Sequence, residues 1–154
     1  MSRDSTLPLP PYALSLAGSL LAAREAVMAP IRPWLREANI TEQQWRVLRV
    51  LSDSGALDAK GIAEQALLYA PTVTRILKEL TDRKLLERRA DPRDGRRSVI
   101  SITAEGRKLV TDTARHTSLL LAGYRKAFGD ARLDAFIAEA QALAKELEQF
   151  RTGD

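Results

Sequence analysis

Between residues 71 and 103 the chain changes period. Across Pro71–Leu80 the apolar residues Val73, Ile76, Leu77 and Leu80 fall at i, i+3, i+4 and i+7, the spacing of one face of an α-helix. Leu85–Ala90 and Ser98–Ile102 then read as strands, and in the second Val99 and Ser101 alternate with Ile100 and Ile102. Asp91–Arg97, holding Pro92 and Gly95, is the turn between them. A short amphipathic helix followed at once by a hairpin needs a core supplied by neighbouring elements. The fold class this implies is mainly α with a small β-hairpin.

Charge gathers on the same segment. From Arg83 to Arg97 stand Arg83, Lys84, Arg88, Arg89, Arg93, Arg96 and Arg97, opposed only by Glu87, Asp91 and Asp94. These fifteen residues carry +4, and so does the whole chain, with 24 basic and 20 acidic residues. Everything outside the segment sums to zero. A positive field focused on a thin hairpin suits a polyanion such as double-stranded DNA.

The remaining composition narrows the classes. At 154 residues and 45% apolar content the chain can bury a sizeable core, and only 5% aromatic residues suits helix-on-helix packing. It has no cysteine, which excludes disulfides, thiolate catalysis and cysteine zinc sites. His116 is the only histidine, so a multi-histidine metal centre is excluded too, and an ordinary helix residue is the expectation there. No G-x-S-x-G nucleophile motif or G-x-x-x-x-G-K phosphate loop occurs, so no enzyme activity, cofactor or metal is expected. No run of 18 apolar residues and no signal-peptide core is found, which places the chain in the cytoplasm with no membrane partner.

Along the chain, residues 1–11 are polar and proline-rich and read as a flexible arm. Tyr12 to about Glu37 reads helical, with Leu16, Leu20, Val27, Ile31 and Leu35 at helical spacing and a break expected near Ala29, where Pro30 and Pro33 intrude. Asn39 suits a left-handed cap. Thr41 to Gln44 forms a capping box opening a helix with Trp45, Val47, Leu48 and Leu51, stopped at Ser54-Gly55. Asp58 caps a further helix to Ala66. Thr103 opens a long helix to about Phe128, Gly129-Asp130 punctuates it, and a last helix reaches about Phe150 with Leu133, Phe136, Ile137, Ala140, Leu143 and Leu147 in register. That last stripe, with the first helix, has too little of its own chain to cover it, so an obligate homodimer is expected.

Helix, turn, helix and basic hairpin together make a winged helix-turn-helix. A helix about 10–12 Å across enters the major groove of DNA. Exposed Arg75 and Lys78, flanked by Thr72 and Thr74, would reach bases or phosphates from it. Arginines on the hairpin turn, Arg93, Arg96 and Arg97, would follow the backbone or enter the minor groove. The alternative is a winged-helix protein–protein interaction module that never grips DNA, against which the basic turn argues.

The run Asp94-Gly-Arg-Arg-Ser-Val-Ile-Ser-Ile-Thr-Ala-Glu-Gly106 resembles the wing motif of MarR-type regulators, D-x-R-x-x-x-[hydrophobic]-x-[L/I]-T-x-x-G, and Pro71–Leu80 resembles their recognition helix. Ala23–Met28, Arg32-Pro33 and Asn39–Arg46 are similar to the homoprotocatechuate-degradation repressor branch of that family. The resemblance covers about residues 12–150. It implies a homodimeric transcriptional repressor on a pseudo-palindromic operator of an aromatic-acid catabolic operon, released by a small aromatic carboxylate. It further implies that residues 39–103 form the winged DNA-binding region and that 12–38 and 104–150 form a helical dimerisation region. By the same resemblance Arg96 is the wing-tip arginine, Asp94 braces the wing by pairing with an arginine, and Thr72, Thr74, Arg75 and Lys78 face the major groove. The family often has glycine just after the recognition helix; here that residue is Lys84. Arg24, in an apolar and small-residue stretch, could hold a ligand carboxylate or pair with a glutamate. Trp45 and Trp34 could supply aromatic walls or sit in the core.

Overall fold

The computed structural model describes residues 8–151. Most of the expected arm lies outside them; Pro8–Pro11 are exposed and outside regular structure. The chain divides into two compact units, residues 1–113 and 114–154. In the first, a 3₁₀ turn (Tyr12–Leu14) precedes helices α1 (Leu16–Met28), α2 (Arg32–Glu37), α3 (Glu42–Ser54), α4 (Ala59–Ala66) and α5 (Ala70–Asp82), then strands β1 (Leu86–Ala90) and β2 (Ser98–Ile102). Helix α6 (Ala104–Phe128) begins in the first unit and ends in the second, where α7 (Asp130–Leu147) and a 3₁₀ turn (Glu148–Phe150) follow. The mainly α fold class with a β-hairpin is therefore correct.

Local chemistry sets the boundaries. The helix expected from Tyr12 starts later because Ser15 is extended, at ψ 158°, and its hydroxyl accepts from Gly18 N–H. The expected break falls where it should, between Met28 and Arg32. Asn39, at φ 54°, ends α2 in a Schellman turn: Ile40 N–H donates to Leu35 O and Asn39 N–H to Arg36 O. The capping box at Thr41 and Gln44 is complete in both directions. Asp58 caps α4 through Gly61 N–H at 2.8 Å.

The core of the first unit is made by stripes that face one another. Helix α3 contributes Val47, Leu48 and Leu51, α4 Ile62 and Ala66, α5 Val73, Ile76, Leu77 and Leu80, and the hairpin Leu86, Ile100 and Ile102, all buried. Ile31, Leu35 and Ile40 add the α2 corner. Each fully buried Leu or Ile contributes about 1.5–3 kcal/mol. Leu57 exchanges backbone hydrogen bonds with Ile100, which fastens the α3–α4 link to the hairpin edge.

The hairpin pairs Leu86 with Ile102 and Ala90 with Ser98. Its first strand begins one residue later than expected because Leu85 N–H is engaged by Leu80 O. The T-x-x-G end of the motif has a steric reason. Thr103 Oγ1 accepts from Gly106 N–H and donates to the Lys84 and Leu85 carbonyls. A Cβ at Gly106 would lie 2.3 Å from Leu85 O, so only glycine fits.

In the second unit, Arg125 reaches Asp134 at 2.9 Å and Asp130 at 3.5 Å across the α6–α7 turn, and this holds its guanidinium pKa above its ordinary value. Phe128 and Phe136 meet edge to face, with centroids 6.5 Å apart. Among the described residues, none from Ala114 onward is buried.

Candidate nucleic-acid interface

Helix α5 has two unlike faces. Val73, Ile76, Leu77 and Leu80 are turned inward; Thr74, Arg75 and Lys78 are exposed, and Thr72 is half-buried. Thr74, Arg75 and Lys78 thus lie off the core stripe in solvent, and Thr72 flanks the stripe's edge. Thr74 Oγ1 donates to Ala70 O at 3.1 Å. Arg75 Nη1 donates to Glu79 Oε1 at 3.2 Å and leaves most of its guanidinium in water. At the head of the helix Leu67, at φ 53°, and Tyr69 are 73% and 83% exposed, an apolar pair in solvent that no sequence signal singled out.

The wing turn is built by its own acids. Asp91 Oδ1 accepts from Arg93 N–H at 2.9 Å, and Asp94 Oδ1 from Arg96 N–H at 3.0 Å. Asp91 N–H donates to Arg97 O and Arg97 N–H to Asp94 O, closing the loop. The carboxylates are committed inward as Asx turns. Arg93, Arg96 and Arg97 are exposed and enter no ion pair among the described residues. The hydrogen bond that Asp94 makes here is to the backbone N–H of Arg96.

A family model described as MarR family matches residues 38–97, the span that holds both features. The chain is 44% identical over 90 residues to the HTH-type transcriptional regulator FarR of Neisseria gonorrhoeae, covering 58% of this chain and 62% of that protein. It is 40% identical over 95 residues to the homoprotocatechuate degradative operon repressor of Escherichia coli, covering 62% and 64%. Both matches span just under two thirds of those relatives. Over nearly the full length, the solved structure of NadR in complex with 4-hydroxyphenylacetate superposes with a TM-score of 0.79 at 34% identity, covering 90% of this chain and 99% of that one. Ligand-free NadR superposes at 0.81 and 31%.

The chain belongs to the MarR family.

Two expectations from the sequence, one of them through the family resemblance, meet the geometry directly. Lys84 takes the left-handed conformation, at φ 60°, with Lys84 N–H on Thr81 O and Leu85 N–H on Leu80 O. Helix α5 therefore ends in the glycine-type turn although the residue is lysine, at about 1–2 kcal/mol of strain. Arg83, counted above with the hairpin's charge, is a structural side chain. Its Nη1 donates to Asn39 O at 2.6 Å and its Nη2 to Ala38 O at 3.3 Å, closing off the carbonyl end of α2. Arg89 is paired with Glu87, and Arg88 donates to Ser98 Oγ. The uncommitted positive charge of this MarR-family wing is narrower than the count along the sequence, and it centres on the turn.

The residues considered for an effector do not share one place. Arg24 bonds Glu42 Oε1 at 3.1 Å and Glu25 at 3.4 Å, while Arg32 bonds Glu25 and the other oxygen of Glu42. The hydrogen bond from Arg32 holds Glu25 below the usual carboxylate range. Arg24 thus has the glutamate partners that were one of its two readings. Trp45 lies on α3, in an open groove of about 250 Å³ with Arg46, Arg49, Val50, Gln65 and Ala66. Arg49 stacks over the Trp45 ring at 5.5 Å. Trp45 Nε1 and Arg46 Nε are buried donors with no acceptor. Trp34 is half-buried on α2 and does not line that groove. Among the described residues no acid–histidine group is placed to hold a metal, and no helix is long and apolar enough to cross a membrane.

Proposed function

We propose that the chain is a homodimeric, DNA-binding transcriptional repressor that reads a pseudo-palindromic operator. The carrying observation is the division of labour in residues 39–103. The exposed face of α5 offers Thr74, Arg75 and Lys78, and the wing presents Arg93, Arg96 and Arg97 while its aspartates are spent on the turn. A helix face for the major groove beside a cationic tip for the phosphates or minor groove is what duplex recognition requires. Residues 12–38 and 104–150 supply the dimer contacts in this reading. Its support is that Leu16, Leu20, Leu21, Val27, Phe136, Ile137 and Leu147 are all more than 40% exposed in the single chain.

Salt-dependent retention on duplex DNA tests it. Wild-type affinity should fall steeply and linearly with the logarithm of salt, and Arg96→Ala should flatten the slope by about one unit. Absence of retention even at low salt would favour the protein–protein module instead.

The release signal in this reading is a small aromatic carboxylate, and the operon controlled handles such acids. NadR has been solved with 4-hydroxyphenylacetate, and the groove at Trp45 supports a ligand of that class here. A flat ring would lie along the indole, and acid oxygens would answer the two unpartnered donors. Arg24 does not line that groove and keeps its glutamate partners in this reading. Titrating the protein–duplex complex with a panel of aryl acids tests this: wild type should release, Trp45→Ala should not, and Arg24→Ala should release as wild type does. The ligand moves the equilibrium only by its differential affinity for the two states.

A further inference from the structure

The exposed Arg75 is not held by its own helix alone. Its partner Glu79 has two carboxylate oxygens, and each has one donor. Oε1 accepts from Arg75 Nη1 at 3.2 Å, and Oε2 accepts from Gln44 Nε2 at 2.8 Å. Gln44 belongs to α3 and is buried, with 8% of its surface exposed. Its amide has no freedom to turn over. Its Oε1 accepts from Thr41 N–H at 3.1 Å, the return bond of the capping box, so its NH₂ must face Glu79. The same box fixes the backbone: Gln44 N–H donates to Thr41 Oγ1 at 3.1 Å.

We infer that Gln44 and Glu79 are positioning residues that set the base preference of Arg75. The relay runs from a helix cap on α3, through a buried amide and a clamped carboxylate, to the guanidinium on the outer face of α5. It engages one nitrogen of Arg75 and leaves the rest of the fork free. A guanidinium reads guanine by two parallel hydrogen bonds, so its plane must be fixed before contact, and a loose arginine settles on phosphates instead. A carboxylate on a DNA-facing helix repels phosphate unless its charge is engaged, and here both of its oxygens are engaged by donors. The inference rests on the DNA-binding reading above.

The relay predicts a particular pattern of loss. Glu79→Gln keeps the shape, but its single acceptor oxygen can serve Gln44 or Arg75 and not both. Gln44→Glu keeps the capping box, since a carboxylate still accepts from Thr41 N–H, but sets a like charge against Glu79. The test is selection of full-length protein on a duplex library with a randomised core, for wild type, Arg75→Ala, Glu79→Gln and Gln44→Glu. Wild type should show a base preference that Arg75→Ala abolishes at one position per half-site. The two relay variants should lose about tenfold of that same preference and keep the others. Adding Glu79→Gln to Arg75→Ala should change nothing further at that position. If both relay variants keep the wild-type profile, or weaken every position evenly, the relay falls and the DNA reading stands. If wild type shows neither salt-dependent duplex binding nor any preference, both fall together.

Discussion

Helices α5 and α7 carry the same kind of apolar stripe, and the chain treats them oppositely. In α5, Val73, Ile76, Leu77 and Leu80 are 2% exposed or less. In α7, Phe136, Ile137 and Leu147 remain 41–45% exposed, and no residue of that helix is buried. Periodicity reports that a helix has an apolar side; it does not report what covers it. For α5 the cover is α3, α4 and the hairpin within the same unit. For α7 no described residue of its own unit buries it, Phe128 meeting only one edge of Phe136, and a second copy is the occupant proposed here.

The largest effect expected from breaking this contrast is on the covered side. Ile76→Ala should cost about 2–5 kcal/mol of stability, read from the denaturant midpoint, because a packed site cannot collapse around the lost atoms. Next is the uncovered side. Ile137→Asp should barely disturb the fold of a single chain, yet sedimentation equilibrium at low micromolar concentration should fall from about twice 17.1 kDa to that value. A wild type already monomeric there would remove the second copy as the explanation for α7.

Smaller effects sharpen the comparison at the turns. The second unit places its positive φ on Gly129, at 98°, whereas the first places Asn39, Leu67 and Lys84 in that region besides Gly55. Lys84→Gly should therefore raise stability by about 0.5–1 kcal/mol, the relieved strain less the entropy glycine adds to the unfolded chain. A loss would mean that Lys84 makes compensating contacts. Smallest is the Glu25 contribution. Its folded pKa is lowered by the Arg32 hydrogen bond, so its stabilisation is full above the unfolded carboxylate pKa and fades as pH falls through the folded value. Glu25→Gln should flatten the acid limb of stability against pH slightly and leave the neutral region almost unchanged.

Much of this was legible beforehand, for identifiable reasons. Caps are local, so Thr41–Gln44, Asp58 and Asn39 gave their boundaries directly. The α5 stripe and the second strand followed from period. What could not be read were side chains whose partners lie far along the chain. Arg83 looked like part of the basic field, and its partners at Asn39 and Ala38 are 44 and 45 residues away. Gln44 looked like a cap alone, although its other hydrogen bond crosses 35 residues to Glu79. The Asp94 carboxylate accepts from Arg96 N–H two residues on, a short reach within the turn that the family resemblance does not specify. The groove at Trp45 brings Gln65 and Ala66 from α4 beside α3, a pairing that only the folded chain reveals.

One carbonyl joins several of these elements. Leu85 O accepts from Thr103 N–H at 3.1 Å and from Thr103 Oγ1 at 3.1 Å, and Gly106 packs where no Cβ would fit beside it. Leu85 follows the left-handed turn that ends α5, and β1 begins at the next residue. The first turn of α6 therefore bears on the root of the wing without slack, as a beam bears on a pin. Tilting that turn would drag the hairpin and the tail of α5 along with it. The wing tip, at the far end of the strands, would sweep the widest arc for the least movement at the base.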